Sequence, residues 1–170
     1  MYNDSEFNFN EVEANILCTI MQTDNNRFQD QNLTLNDFDK EVLVECPACG
    51  LKAIASVSED NESARLLCSS CGFNKIHSTQ TVDGNSVFKI HQAAYIFFGA
   101  KLWLQAPFKA DVFSAYNHAH LAYLEAYISS KMREHKDRTH FTLLEKLPKF
   151  YHEGKNRVAL LKIIEKLKKK

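Results

Sequence analysis

The chain has 170 residues, of which 45% are hydrophobic and 25% are charged, and its formal net charge is zero. This length is sufficient for one ordinary domain, or two small ones, with an apolar core. No stretch approaches the roughly 18 consecutive apolar residues that a membrane helix needs, so the sequence excludes a protein built on such a helix and favours a globular protein of the cytoplasm.

The zero net charge conceals a gradient along the chain. Residues 1–45 contain ten acidic and two basic residues, which gives a net charge of −8. Residues 128–170 contain thirteen basic and five acidic residues, which gives +8. Such asymmetry indicates a basic surface for nucleic acid, two ends that attract each other in the fold, or two ends that are merely solvated.

Residues 1–40 are predicted to be an acidic N-terminal segment with one short helix. Four apolar residues recur there at the spacing of an amphipathic helix: Val12, Ile16, Leu17 and Ile20. Cys18 lies in this apolar run and is expected to be a small buried hydrophobe rather than a metal ligand. The polar stretch 23–36 is predicted to be a loop.

Two cysteine pairs, each followed by glycine, are the most specific pattern in the chain: Cys46-Pro47-Ala48-Cys49-Gly50 and Cys68-Ser69-Ser70-Cys71-Gly72. Two residues between paired cysteines let one tight turn aim both sulfurs at a single ion, and a structural zinc takes four such ligands. Glycine after each pair can adopt the left-handed conformation that folds the turn back. The sequence therefore predicts a structural Zn²⁺ bound by Cys46, Cys49, Cys68 and Cys71.

Other uses of four cysteines fit the pattern less well. A thioredoxin-like redox site needs one C-x-x-C beside a βαβ pattern, which is absent. The chain opens without a signal peptide, which disfavours disulfides. Iron held by four thiolates, as in rubredoxin, is the closer alternative. A closed set of four cysteines leaves no position for a water, so the metal is not expected to be catalytic.

The sequence CPxCG, a strand-like stretch and then CxxCG together resemble a zinc ribbon, over residues 41–80. Zinc ribbons occur in general transcription factors and many small bacterial proteins, and they bind nucleic acid or other proteins. Further motifs resemble a bacterial family of ribbon-containing proteins that has no settled activity: Gly99-Ala100-Lys101-Leu102-Trp103-Leu104, Ala115-Tyr116-Asn117, His120-Leu121, Tyr127-Ile128, Leu147-Pro148-Lys149 and Lys155-Asn156-Arg157.

The ribbon is predicted to contain strands before and after each cysteine pair, at residues 42–44, 53–57, 65–67 and 73–77. Asp83-Gly84 is a hairpin signal before a further strand at 87–90. Residues 41–79 carry three basic and five acidic residues. Four thiolates on one divalent ion add two negative charges, so the metallated ribbon carries about −4 and repels nucleic acid on average.

Residues 81–170 are predicted to form an α+β module. Strands are expected at 102–104 and 112–116, around a turn that holds Pro107. Asn117 is predicted to be the N-cap of a helix whose apolar stripe consists of Leu121, Leu124, Ile128 and Met132. Thr139 is predicted to cap a short helix that ends before Pro148.

The last helix is predicted to run from Arg157 to the C-terminus. Its apolar residues fall on one side: Leu160, Ile163, Ile164 and Leu167. Four lysines, called here the lysine stripe, fall on the other side: Lys155, Lys162, Lys166 and Lys169. The stripe indicates phosphate contact along a nucleic acid or a solvated face. The second interpretation is favoured because arginine and aromatic residues do not accompany the lysines.

Aromatic residues concentrate between positions 95 and 127, where they are expected to fill a core or a partner interface, or to form a stacking platform for bases. In the predicted strand, Trp103 points away from Leu102 and Leu104, so the strand has apolar side chains on both faces. One of these faces must be covered by something else, such as a helix or another protein. Trp103 is therefore a candidate residue for a protein interface. The seven histidines, His118 and His120 among them, are expected to be ordinary surface residues.

The sequence contains none of the common catalytic motifs, so an enzyme is not predicted. The predicted fold is α+β: a four-cysteine zinc ribbon of small antiparallel β-structure, followed by a β-hairpin and C-terminal helices. The predicted function is that of a non-enzymatic interaction or adaptor protein that docks on a protein partner. The alternative is a nucleic-acid-binding factor that uses the basic C-terminal helix.

Overall fold

The computed structural model describes residues 27–83, 86–134 and 141–170, which form a mixed α+β fold. The predicted N-terminal helix with Cys18, the predicted cap Thr139 and the hairpin residue Gly84 lie outside the described residues. In chain order the strands are β1 (Arg27–Gln29), β2 (Glu41–Glu45), β3 (Lys52–Val57), β4 (Ser63–Leu67), β5 (Asn74–Ser78), β6 (Gln80–Asp83), β7 (Ser86–Lys89), β8 (Leu104–Phe108), β9 (Asp111–Ala115) and β10 (Met132–Glu134). The α-helices are α1 (His118–Ser129), α2 (Lys149–His152) and α3 (Arg157–Lys168), and 3-10 turns include Leu35–Asp37, Ala94–Phe98 and Gly154–Asn156.

The centre of the chain is a four-stranded antiparallel sheet in the order β2-β3-β4-β5. Its strands overlap the four stretches predicted around the cysteine pairs, which confirms the antiparallel part of the prediction. Because side chains alternate along a strand, one face of this sheet gathers the small core cluster of Val42, Val44, Ala53, Ala55 and Leu66. The 3-10 turn Ala94–Phe98 covers that face, with Ala94 fully buried.

The main core lies between the C-terminal helices and the β8–β9 pair. The predicted apolar side of α3 is confirmed, since Leu160, Ile164 and Leu167 are buried and Ile163 packs against them. They meet Leu121, Leu124 and Ile128 of α1, which belong to the same cluster. Asn117 caps α1 as predicted, because its side chain accepts a hydrogen bond of 2.8 Å from the backbone amide of His120.

The predicted stripe of α1 is wrong at its end, because the helix stops at Ser129 and Met132 lies in β10. Arg157 explains the stop. Its guanidinium donates hydrogen bonds of 2.9 Å to the carbonyls of Ile128 and Ser130, which a continued helix would use internally. Residue spacing alone does not reveal such a long-range cap.

The stretch 23–36, predicted to be a loop, contains β1, which pairs in parallel with β10. Phe28 at the middle of β1 is buried and packs edge-on against Tyr123 and Tyr127. The next buried residue, Asp30, accepts hydrogen bonds from the hydroxyls of Tyr123 (2.8 Å) and Thr142 (2.9 Å). A three-residue strand with one apolar side chain has no alternation to detect, which is why the sequence did not indicate it.

Pro107 does not lie in the turn as predicted but within β8, opposite Val112 of β9. Both strands of a two-stranded sheet are edges, so a residue without an N–H can sit where its nitrogen faces away from the partner strand. The turn is formed by Lys109 and Ala110, and Lys109 adopts a left-handed φ of 56°. The predicted hairpin near residue 83 is confirmed by the antiparallel pair β6–β7.

Candidate metal centre

The four predicted cysteine ligands converge on one point, where their sulfur atoms all lie within 4.8 Å of one another. The Sγ atoms of Cys46 and Cys71 are 3.7 Å apart, as are those of Cys49 and Cys68. A tetrahedral ion with metal–sulfur bonds of about 2.3 Å requires sulfur–sulfur distances of about 3.8 Å. Two sulfur pairs match this distance and all four sulfurs lie within 4.8 Å of one another, so the cluster is close enough to hold a metal ion.

Two turns of the same construction position the cysteines. In the first, the amide of Cys46 donates to the carbonyl of Leu51 at 2.8 Å, and the amide of Gly50 donates to the carbonyl of Cys46 at 2.9 Å. The second turn repeats both bonds, from Cys68 to Phe73 at 2.8 Å and from Gly72 to Cys68 at 3.0 Å. Gly50 and Gly72 have φ values of 71° and 74°, in the left-handed region that favours glycine.

Backbone amides also point at the sulfurs. Burial acts to raise the pKa of Cys68, but hydrogen bonds from the amides of Cys71 and Ser70, together with the neighbouring thiols, lower it to about 6. The amide of Phe73 acts to lower the pKa of Cys71, yet its contact with Cys49 and its partial desolvation raise it to about 12. Four sulfurs this close cannot all be anionic without a cation, and a bound divalent ion resolves the repulsion.

The centre joins the small core to the surface. Cys46 and Cys68, the first member of each pair, are buried within the small core cluster, whereas Cys49 and Cys71 are exposed. An ion at this position would link the β2–β3 and β4–β5 connections at the edge of that core.

The lysine stripe is not part of this centre. Lys162, Lys166 and Lys169 are exposed on the outer side of α3 and its end. Lys155 lies in the preceding 3-10 turn, where its ammonium is 3.3 Å from the carboxylate of Glu153. All four lysines are therefore exposed to solvent, and Leu160, Ile164 and Leu167 form the buried side of the helix.

Trp103, the candidate interface residue, is half-buried and packs against the main core. The ammonium of Lys170 lies 4.8 Å from the centre of its ring and donates to its backbone carbonyl at 3.0 Å. Lys170 therefore provides part of the packing over Trp103 that the sequence analysis expected. Its indole Nε1 is buried and has no hydrogen-bond partner among the described residues.

His120 is not a surface residue as predicted but is buried in the main module. Its ring stacks on Phe38 with 4.8 Å between centroids. Its Nδ1 accepts a hydrogen bond of 3.2 Å from the amide of Tyr116, and burial lowers the pKa of its imidazole to about 4. The burial of His120 depends on how other residues pack around α1, so the spacing between His118 and His120 could not indicate it.

Two other features were not indicated by the sequence. A shallow depression of about 200 Å³ lies beside β3 and includes Asp39, Lys40 and His91 in its lining. Burial raises the pKa of Asp39 there, against the nearby charge of Lys40. The hairpin β6–β7 also exposes large apolar side chains. In the sequence these residues resemble ordinary core residues, so their exposure is known only from the folded structure.

No family model matches the chain, and no curated protein or solved structure is significantly similar to it. In the part of the chain that the structure describes, no helix combines the length and apolar character needed to cross a bilayer.

Proposed function

We propose that the chain is a non-enzymatic, zinc-binding adaptor that docks on a protein partner. In this proposal the four cysteines form a zinc ribbon, and the zinc is structural. A set of four clustered cysteine thiolates suits Zn²⁺, and iron is the alternative that the same ligands accept. The filled coordination sphere argues against catalysis by the metal.

The observation that carries the docking proposal is the apolar surface of the hairpin, called here the hairpin surface. It consists of Val82, Val87, Phe88 and Ile90. The first three are 69%, 61% and 53% exposed. Val82 and Val87 form a cross-strand pair and share one face, while Phe88 points to the other. An isolated two-stranded hairpin with apolar residues on both faces is only marginally stable in water.

The base of the hairpin is fixed to the ribbon. The amide of Ile90 donates to the carbonyl of Thr79 at 2.8 Å, and the amide of Thr79 donates to the carbonyl of Glu62 at 3.1 Å. Lys89 reaches the carbonyl of Asp60 at 3.0 Å and the carboxylate of Glu62 at 3.3 Å. The ribbon thus presents the hairpin in a defined position, as a docking element requires.

The chemistry of the hairpin surface favours a protein partner with an apolar, strand-like binding segment. Residues 80–90 contain one acidic and one basic residue, so the surface offers little net charge to a polyanion. Both strands of the pair have an unpaired edge within the described residues, where a partner could add a strand. Such binding depends on apolar burial and backbone hydrogen bonds, and it resists salt.

The test compares full-length, zinc-loaded variants in pull-downs from the native cell after nuclease treatment. Phe88→Lys with Val87→Lys is expected to lose a protein that the wild type retains at high salt. The control is Val158→Lys, which places a lysine at an exposed apolar position on α3. Equal capture by the hairpin variant and the wild type would contradict the proposal, as would loss of the protein on nuclease treatment.

A second candidate function is nucleic-acid binding through the lysine stripe. It is supported by the exposure of all four lysines. Among the described residues, Lys162, Lys166 and Lys169 have no ion-pair partner. Four phosphate contacts would make the logarithm of the binding constant fall with the logarithm of salt concentration with a slope of about −3.6.

Replacement of Lys162 and Lys166 by Ala would reduce that slope by about 1.8 if both contact phosphate. Lys52 and Lys75 of the ribbon serve as the control pair, since they are exposed and lie on β3 and β5. If replacement of Lys162 and Lys166 leaves the salt dependence of binding unchanged, the lysine stripe is not the binding surface.

A further inference from the structure

The two members of each cysteine pair differ in their access to solvent. Cys46 and Cys68 are 2% and 0% exposed and lie within the small core cluster. Cys49 and Cys71, the second members, are exposed. A small reagent dissolved in water therefore reaches the metal centre from the side of Cys49 and Cys71.

Each exposed sulfur has a buried sulfur of the other turn beside it. The Sγ atoms of Cys49 and Cys68 are 3.7 Å apart, and so are those of Cys71 and Cys46. Both close pairs therefore run between the β2–β3 connection and the β4–β5 connection. A disulfide bond is about 2.05 Å long, so either pair forms one after the two sulfurs approach by about 1.7 Å.

Cysteines that hold a divalent ion are thiolates, which is the form that reacts with oxidants. A hydroperoxide transfers one oxygen to an accessible thiolate and gives a sulfenic acid. A second thiolate then attacks the sulfur of the sulfenic acid, forms a disulfide and expels hydroxide. Two of the four ligands are consumed in this way, and a structural zinc site needs all four.

We propose that the metal centre is an oxidation site for hydroperoxides, which attack Cys49 or Cys71, and that the buried sulfur of the opposite turn completes the reaction. The product is a Cys49–Cys68 or a Cys46–Cys71 disulfide, and the zinc ion is released. With hydrogen peroxide, two thiolates lose two electrons to form the disulfide, and the peroxide takes up these electrons and two protons to give two molecules of water. The zinc belongs to the function proposed above, on which this oxidation site rests.

The disulfide keeps the link that the ion provides. Either bond joins the β2–β3 and β4–β5 connections at the edge of the small core, as the ion would. Oxidised protein is therefore expected to retain more β-structure than protein from which a chelator has removed the metal, because the chelated protein has no link at this position. The release is reversible, since a dithiol reductant restores the four thiols.

The test uses full-length, zinc-loaded protein, both wild type and Cys18→Ser. Hydrogen peroxide is added in increments, and a chromogenic chelator measures the released zinc against an untreated sample. Dimedone traps sulfenic acids at early times, and tandem mass spectrometry locates them. Cys18 is the only cysteine outside the cluster, so the serine variant keeps every zinc ligand and serves as the matched control.

Trypsin distinguishes the possible disulfides. It leaves Cys46 and Cys49 together in the peptide 41–52, and Cys68 and Cys71 together in the peptide 66–75. A disulfide between the turns joins these two peptides, whereas a disulfide within one turn leaves them separate. Fragmentation of the joined peptides then shows which cysteines are linked.

We expect one zinc to leave for each first disulfide formed, at the same rate in the wild type and in Cys18→Ser. The early sulfenic acid should lie at Cys49 or Cys71, and the joined peptides should be the main product. Dithiothreitol followed by zinc should restore the metal content. By circular dichroism, the oxidised protein should retain more β-structure than a sample stripped with chelator.

Four results would overturn the proposal. The first is a main product with a disulfide within one turn or between two chains, and the second is an early sulfenic acid at Cys46 or Cys68. The third is zinc release that requires Cys18, and the fourth is zinc that stays bound at peroxide concentrations that oxidise the methionines. If the oxidised protein loses as much β-structure as the stripped sample, the disulfide does not take the place of the ion. Protein isolated without zinc contradicts the proposed function instead, so the two failures are distinguishable.

Discussion

Gly50 and Gly72 occupy equivalent positions in the two cysteine turns, each with a left-handed φ. A Cβ at either position would meet no atom within 4 Å. The requirement for glycine at these positions is therefore conformational and not steric, and the sequence showed it through the repeated C-x-x-C-G pattern.

Gly72→Ala is expected to destabilise the protein by about 1 kcal/mol, because alanine pays for the left-handed conformation that glycine adopts freely. Chemical denaturation of the zinc-loaded protein measures the change. Gly154→Ala is the control, since Gly154 also has open space around it but no positive φ. An equal loss of stability in Gly72→Ala and Gly154→Ala would mean that the left-handed turn conformation does not cause the destabilisation.

His120 predicts a dependence of stability on pH. Its folded pKa of about 4 lies below the ordinary value of 6.5 because burial disfavours the imidazolium. The unfolded chain therefore binds a proton first, and stability falls as the pH drops from 6.5 towards 4. The shift corresponds to roughly 3 kcal/mol at most.

His120→Gln isolates this effect from the release of metal at low pH, which both proteins share. Denaturation at several pH values should show that the variant loses less stability than the wild type over this interval. Parallel curves for the two proteins would contradict a buried, neutral His120.

At the scale of single residues, the sequence located the four cysteines because their spacing is local and repeated. It did not reveal that His120 is buried or that Lys170 covers the ring of Trp103. These contacts join residues whose proximity depends on how α1 and the chain end pack. The same limit applies to Asp30, whose partners Tyr123 and Thr142 are distant in sequence.

Among the elements, α3 was the most predictable because it is a twelve-residue helix with a regular apolar period from Leu160 to Leu167. Strands β2 to β5 followed from their positions beside the cysteine turns. β1 and β10 were missed because each has three residues and gains its pairing from the other. Pro107 was misplaced because proline indicates a turn locally, whereas an edge strand tolerates it.

Asn117 couples the start of α1 to the rest of the fold. Besides its cap on α1, its side-chain amide donates to the carbonyls of Phe38 at 3.1 Å and Glu41 at 3.0 Å. Asn117→Ala should lose about 1 kcal/mol from the cap and about 1 kcal/mol or more from the two amide hydrogen bonds.

Asn117→Ser separates the two contributions, since serine retains a cap acceptor but cannot reach both carbonyls. The free energy of unfolding of the serine variant, measured with denaturant, should fall between that of the wild type and that of the alanine variant. A serine variant as unstable as the alanine variant would show that the cap contributes little.

The whole molecule is coupled through β2. Val42 and Val44 lie in the small core beside the cysteines, while Leu43 lies in the main core. A structural zinc site contributes on the order of 10–16 kcal/mol, compared with about 5–15 kcal/mol for the stability of a typical domain. Loss of the ion should therefore affect both cores.

Trp103, the single tryptophan, reports on the main core. Addition of a chelator to the metal-loaded protein is expected to change Trp103 fluorescence in step with the loss of β-structure by circular dichroism. Unchanged fluorescence after complete removal of the metal would show that the C-terminal module folds independently of the ribbon.

The most direct test of the account is elemental analysis of freshly isolated, full-length protein. We expect one zinc per chain, and we expect its loss in Cys49→Ser and Cys71→Ser but not in Cys18→Ser. Protein that contains no stoichiometric transition metal would contradict the proposal that a metal ion organises the ribbon, and stoichiometric iron would contradict its assignment as zinc.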